Sequence, residues 1–285
     1  MNALIPLPVI VPLLGAAICM IVAQVRWAQR VVCLLALTSN VVVAIMLLVR
    51  VDDDGIVVTQ AGGWPAPLGI TLVVDRLSAV MLVVSSLMLL SVLVYAIGQG
   101  AEESRYAAFN PVYLVLAAGV SASFITGDLF NLFVAFEMML VASYVLLTLG
   151  GRPDQVRAGM SYVVISLVAS TFFVTALAVI YAATGTVNMA QLSQRMPDLP
   201  IGVSTGFSLL LILVFGIKAG LFPLFFWLPD SYPTASGAIT AVFAGLLTKV
   251  GVYAIIRTQT LIFPPDAQQG TVLLVLAGLT MLVGV

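Results

Sequence analysis

Phe215-Gly216-Ile217-Lys218-Ala219-Gly220-Leu221-Phe222-Pro223 lies inside an otherwise apolar stretch that runs from Thr205 to Leu228. At 1.5 Å per residue, about 20 apolar residues cross the hydrocarbon core of a bilayer, so the stretch is long enough to span. Its interior is not that of a plain span. Pro223 removes a backbone donor and clashes with the preceding turn, and Gly216 and Gly220 make a local break cheap. A helix broken at membrane depth is tolerated only where it lines a cavity or is buried in protein, and transporters place such breaks at their ion sites. The break carries Lys218. This nonapeptide therefore predicts an all-α polytopic membrane protein whose seventh helix is discontinuous at a charged residue.

The rest of the chain agrees. Of 285 residues, 62% are hydrophobic and 8% charged, with mean hydropathy +1.19; soluble domains carry about a quarter charged residues. About eight to nine spans follow from the apolar runs: Ala3–Val25, Val31–Val49, Asp75–Ile97, Pro111–Ile125, Leu129–Leu149, Ala158–Ala183, Thr205–Leu228, Ala235–Thr258, and a ninth that begins near Gly270 and is still apolar at Val285. The first run lacks a basic leader and is long enough to span, so it reads as a retained helix rather than a signal peptide. Between the second and third spans, Ile56-Val57-Val58 and Ile70-Thr71-Leu72 alternate as a short surface hairpin does. Only Thr126-Gly127-Asp128 separate the fourth and fifth spans, which makes them antiparallel neighbours. The basic residues at the helix ends favour an external N-terminus. The final apolar run, about 24 Å of helix, is short for a span; the chain reads as the N-terminal part of a longer protein.

Histidine is absent, which removes His-ligated metal and His-based proton relays from this chain. Cys19 and Cys33 lie in apolar runs and read as packing residues. No Gly-rich phosphate loop or Cys/His metal set is present, so no bound cofactor or metal is expected. Chemistry falls to three ionisable residues within the spans. The only two lysines, Lys218 and Lys249, lie in the seventh and eighth helices, whereas all nine arginines lie in loops or near helix ends. Arginine stays protonated; a desolvated lysine can lose its proton. A group that loads and releases a proton at membrane depth is therefore a lysine. Glu137 is the one carboxylate deep in an apolar helix, and Lys218 is its expected partner, since so few charges exist to offset it. Asp230, in Trp227-Leu228-Pro229-Asp230-Ser231-Tyr232-Pro233-Thr234, is an N-cap or a point of proton access. Asp128 reads as the N-cap of the fifth helix, and Asp75 with Arg76 anchors the third.

Phe133–Leu140 with its central glutamate, Gly216–Pro223, Trp227-Leu228-Pro229-Asp230 and Gly245-Leu246-Leu247-Thr248-Lys249-Val250-Gly251-Val252-Tyr253 together resemble the antiporter-like subunits. That superfamily comprises large membrane subunits of respiratory complex I, membrane-bound hydrogenases and multisubunit Mrp-type Na+/H+ antiporters. Complex I relatives usually carry histidine just after Trp-Leu-Pro-Asp-Ala. Ser231-Tyr232 and the Gly-Leu-Leu-Thr-Lys-Val-Gly-Val-Tyr run are instead similar to the D-type (MrpD/MnhD) branch of the Mrp antiporters.

The resemblance implies about 14 helices in two inverted five-helix repeats. Residues 1–100 would hold helices one to three, residues 105–258 the first repeat, and residues 270–285 the start of the second. It implies proton transfer through Glu137, Lys218 and Lys249, with a relay charge on a twelfth helix beyond Val285. The function implied is that of a proton-translocating subunit of a monovalent cation (Na+)/proton antiporter. The resemblance places it in the bacterial plasma membrane, working with other subunits and without nucleic acid, and as a transporter rather than an enzyme. The alternative is a proton-pumping membrane subunit of a redox complex, either an NADH–quinone oxidoreductase or a membrane-bound hydrogenase. A third reading, a scaffold held by ion pairs, predicts that neutralising Lys218 costs assembly rather than transport.

Overall fold

The computed structural model describes residues 2–100 and 105–284; Val285 lies outside the described residues. The chain is a helical bundle with one small hairpin. Helices α1 (Leu7–Ile21) and α2 (Arg26–Asp54) lead into strands β1 (Val57–Gln60) and β2 (Thr71–Val74), and α3 (Arg76–Gln99) follows. Next come α4 (Phe109–Ile125), α5 (Leu129–Thr148), α6 (Pro153–Thr184), the short α7 (Met189–Arg195) and α8 (Ile201–Ala219). After a non-helical turn come α9 (Trp227–Ser231), α10 (Gly237–Val242), a π-helical turn (Phe243–Leu247), α11 (Thr248–Leu261) and α12 (Gly270–Gly284). Among the described residues, six helices are long and apolar enough to cross a membrane, and α1, α4 and α12 are shorter apolar helices.

Helix α4 sits at the centre. Every residue from Phe109 to Ile125 except Val112 and Val115 is buried, because α1, α5, α2 and α3 pack around it. A helix enclosed on all sides needs no polar face. On the outer helices the residues turned away from the bundle, such as Leu14, Leu35, Val84, Leu167 and Val168, are also apolar. That is what a surface solvated by lipid requires.

The predicted hairpin forms, with Val57 opposite Val74 and Gln60 opposite Thr71. It is stitched to the bundle where Gly127 N–H donates to the Thr71 carbonyl at 2.9 Å. A Cβ on Gly127 would stand 2.7 Å from Val73 Cγ2, so this contact requires glycine. Asp128 caps α5 as expected, accepting from Asn131 N–H at 2.9 Å. Asp75 caps α3 in a reciprocal box with Ser78.

Several boundaries differ from the sequence reading. Helix α1 is confined to Leu7–Ile21, since Pro6 and Pro8 at its start suit a first turn and not an interior. Helix α2 runs past the apolar core at both ends and takes in Arg26 and Asp52–Asp54. The segment between the sixth and seventh apolar runs, outside every expected span, contains α7, started by the Asn188 side chain accepting from Ala190 and Gln191 N–H. The eighth span is not a uniform helix but contains the π-helical turn at Phe243–Leu247. Cys19 and Cys33 are buried thiols.

Candidate functional site

The seventh helix breaks at Gly220. Helix α8 ends at Ala219, and Gly220 adopts φ +70°, ψ 41°. Gly220 N–H donates to the Ile217 carbonyl at 3.3 Å and Leu221 N–H to the Gly216 carbonyl at 3.0 Å. This is the paired Schellman closure of a helix C-terminus. Of the three residues read as the break, Gly220 forms it. Gly216 is an interior helical residue, and Pro223 lies in the turn beyond. Trp227 Nε1 donates to the Ile217 carbonyl at 3.1 Å, and Phe222 N–H donates to Thr280 Oγ1 on α12 at 2.9 Å. One carbonyl and one N–H group at the break are thus met by side chains, as a break buried in protein requires.

Lys218 occupies the last turn of α8, at the negative end of the helix dipole, where a cation is favoured. Its Nζ donates to the Ser166 carbonyl at 3.3 Å and to Ser170 Oγ at 3.4 Å, both on α6. The Ser170 hydroxyl in turn donates to Glu137 Oε1 on α5. Glu137 and Lys218 are therefore brought together through one shared hydroxyl and not through direct contact. Sequence reasoning found the two charges and missed Ser170. The signal was available in the spacing of Tyr162, Ser166 and Ser170, which at i, i+4, i+8 share one face of α6, but serines in apolar helices are common packing residues.

The two sides of this line differ. One turn away, toward the hairpin end, Phe133, Phe136, Phe173 and Phe215 pack together. Phe173 and Phe215 meet edge to face at 5.0 Å, and Phe136 stacks on Phe215 at 5.9 Å. Toward the α9 end, a cavity of ≈ 20 Å³ is lined by Tyr162, Ser166, Lys218, Trp227 and Leu247 among others. About 10–15 Å³ suffices for one water. Tyr162 shares a 2.7 Å hydrogen bond with Ser143 Oγ, and its ring lies 5.3 Å from that of Trp227.

The other predicted site residues lie apart. Lys249, read as buried within a span, is exposed on the surface of this chain; its Nζ donates to the Ala244 carbonyl at 2.5 Å and to Thr248 Oγ1 at 3.4 Å. The π-helical turn is what turns Ala244 toward a partner five residues on. Asp230 is exposed within α9 and is not an N-cap. It lines an open cavity of ≈ 550 Å³ with Asp154, Arg157, Ser161 and Thr234. Among the described residues no cluster of three His, Cys, Asp or Glu side chains could hold a metal.

A second charged pair was not foreseen. Arg257 near the end of α11 grips Asp75 through both terminal guanidinium nitrogens, at 2.5 and 2.7 Å, and also donates to Tyr253 Oη. Burial pushes the Asp75 carboxyl up, but hydrogen bonds from Arg257 and Ser78 outweigh it and hold the group down at about 2. The pair borders a cavity of ≈ 430 Å³ beside the hairpin, with Thr126, Asn188 and Gln191.

Residues 126–285 match the family described as NADH:quinone oxidoreductase/Mrp antiporter, transmembrane. The whole chain aligns at 45% identity with 58% of the D-type subunit of the Na+/H+ antiporter of Alkalihalophilus pseudofirmus. Among solved structures, a chain of the Mrp complex from Dietzia sp. DQ12-45-1b superposes with TM-score 0.91 at 36% identity, over 99% of this chain and 53% of that one. A chain of an archaeal membrane-bound sulfane sulfur reductase, a respiratory membrane complex, superposes with TM-score 0.90 at 27% identity, over 98% of this chain and 58% of that one. The chain thus spans a little over half the length of the relatives it matches.

Proposed function

Because the chain belongs to the NADH:quinone oxidoreductase/Mrp antiporter transmembrane family, we propose that it is the proton-translocating part of a D-type subunit in a multisubunit Na+/H+ antiporter of the bacterial plasma membrane. The observation that carries the reading is the line Lys218–Ser170–Glu137 at a helix broken at membrane depth. Lys218 is the proton-carrying group, held by the C-terminal end of α8. Glu137 is its counter-charge, without which a buried ammonium is costly. The small cavity beside Lys218 admits a water from the α9 side, and Asp230 is the point of access on that face. The phenylalanine cluster keeps water from crossing to the hairpin side. Lys249, on the chain surface, is the next group along the membrane toward further parts of the assembly. Proton movement along this line is coupled to Na+ moving the other way, with partner subunits completing the path, and no cofactor takes part.

The test uses the protein expressed with its partner subunits in a bacterium lacking its own sodium antiporters. In everted vesicles energised by respiration, added Na+ collapses the pH gradient for the wild type. Lys218→Ala and Glu137→Gln abolish the response at normal protein abundance. Normal responses from both variants overturn the assignment. A second reading, a proton-pumping subunit of a redox complex, draws on the fold shared with the respiratory sulfur reductase. It is favoured if the wild type gives no cation-dependent signal while a copurifying redox activity acidifies the vesicle lumen.

A further inference from the structure

We propose that Ser170 is a proton relay between Lys218 and Glu137, a role that rests on the reading above and adds a residue to it. Hydroxyls inside the apolar helices of this chain generally fold back onto the carbonyl one turn earlier, the usual way to satisfy them in a helix. Ser123 donates to Gly119 O, Thr175 to Thr171 O and Thr258 to Ala254 O, at 2.8–2.9 Å. Thr171, the next residue after Ser170 on the same helix, donates to Leu167 O at 2.9 Å. Ser170 departs from this pattern. Its proton goes to Glu137 Oε1, and the carbonyl it would otherwise use, Ser166 O, receives Lys218 Nζ at 3.3 Å. Both serines are 6% exposed, so bulk water does not compete for these groups.

The Ser170 oxygen thus accepts from the ammonium while its hydrogen points at the carboxylate. Transfer needs no further reactant. A Nζ–H bond of Lys218 breaks as that proton joins Ser170 Oγ, and the original Oγ–H proton passes to Glu137 Oε1. The products are a neutral amine, a neutral carboxylic acid and a regenerated hydroxyl. Rotation of that hydroxyl resets the line. In this arrangement the serine also keeps lysine and glutamate from closing into a direct ion pair, which would hold the proton too firmly to release it.

The vesicle assay described above decides the matter with Ser170→Ala, Ser170→Thr and Ser170→Cys, each normalised to protein abundance. Ser170→Ala is expected to slow Na+-dependent proton movement by about 100-fold, the lower range for losing a positioned proton-transfer group. Ser170→Thr, which keeps a hydroxyl on the same Cβ, is expected to restore most of the rate; a purely steric role would not distinguish the two in that direction. If Ser170→Ala transports at the wild-type rate, or if Ser170→Thr is as inactive as Ser170→Ala at normal abundance, the relay is overturned. If Ser170→Ala does not accumulate, Ser170→Cys decides. The thiol keeps the volume but donates weakly, so loss of rate supports the relay and full rate overturns it. Lys218→Ala and Glu137→Gln, run alongside, separate the two levels: if they fail while Ser170→Ala is normal, only the relay falls, and if they transport normally, the functional reading falls with it.

Discussion

Gly220→Ala and Gly216→Ala, two glycine-to-alanine changes one helical turn apart, should have opposite effects on stability. Gly220 sits at φ +70°, where an L-residue costs about 1–2 kcal/mol. A Cβ there would also stand 2.5 Å from Leu228 Cδ1. That methyl is the end of a flexible side chain, so it can move aside for about 0.5–1.5 kcal/mol of rotamer strain. The sum is a destabilisation of about 2–3 kcal/mol. Gly216 is helical, and a Cβ on it meets nothing nearer than Leu221 Cδ1 at 3.5 Å, an ordinary contact. Alanine there gains up to about 1 kcal/mol of helix propensity. The two variants should therefore differ by about 3 kcal/mol, with the wild type between them. For a chain of this size that is an apparent Tm gap of about 5–10 °C. The assay is thermal unfolding of the detergent-purified protein at one fixed scan rate, since membrane proteins commonly unfold irreversibly. If Gly220→Ala proves as stable as Gly216→Ala, the left-handed cap is not what ends α8, and the account of the break is wrong.

Gly251→Ala should be harmful for a different reason: its Cβ would lie 2.6 Å from Ala219 N and 2.9 Å from Ala219 Cα. Backbone cannot rotate away, so α11 and the end of α8 must separate, at a cost of about 1–3 kcal/mol. Lys218 adjoins Ala219, so transport should fall with the Tm; unchanged values of both would refute the close approach. Asp75→Asn should remove about 2 kcal/mol at neutral pH, from a carboxyl held down to about 2 against an ordinary 3.8. Because the folded-state value is the lower one, this stabilisation is present above pH ~4 and disappears as the pH falls toward ~2. The wild-type and Asp75→Asn Tm curves should therefore converge in acid, and parallel curves down to pH ~2 would show that the Arg257 pair contributes nothing.

Much of this protein was legible because lipid imposes simple rules. A run of apolar residues at membrane depth must be helical to satisfy its own backbone, so the spans, the hairpin between them and the break near Lys218 follow from composition and from glycine and proline placement. The cap at Asp128 was legible for a local reason, as a short polar side chain ahead of an apolar helix can reach only the next few N–H groups; the role of Asp75, read with Arg76 as an anchor, emerged as a cap only in the structure. The errors were at points where neighbours decide. Helix ends at Leu7 and Asp54 depend on prolines and on charged residues that continue a helix past the hydrocarbon. The π-helical turn before Lys249 contains only Gly245, a residue ordinary helices also hold, so nothing local marks it as a π-turn, and the lysine's exposure depends on which face of α11 the rest of the bundle leaves uncovered.

The sequence by itself determined that the chain is a membrane helix bundle, that one helix breaks, and that Glu137 and Lys218 stand as isolated charges in apolar helices, because these follow from transfer energies and backbone chemistry carried by each segment alone. Only the tertiary structure decided that Gly220 rather than Gly216 makes the break, that Ser170 stands between the two charges, and that Arg257 reaches back to Asp75. Those outcomes depend on the relative rotation and depth of separate helices, and that geometry is set by how the side chains of α5, α6, α8 and α11 pack against one another.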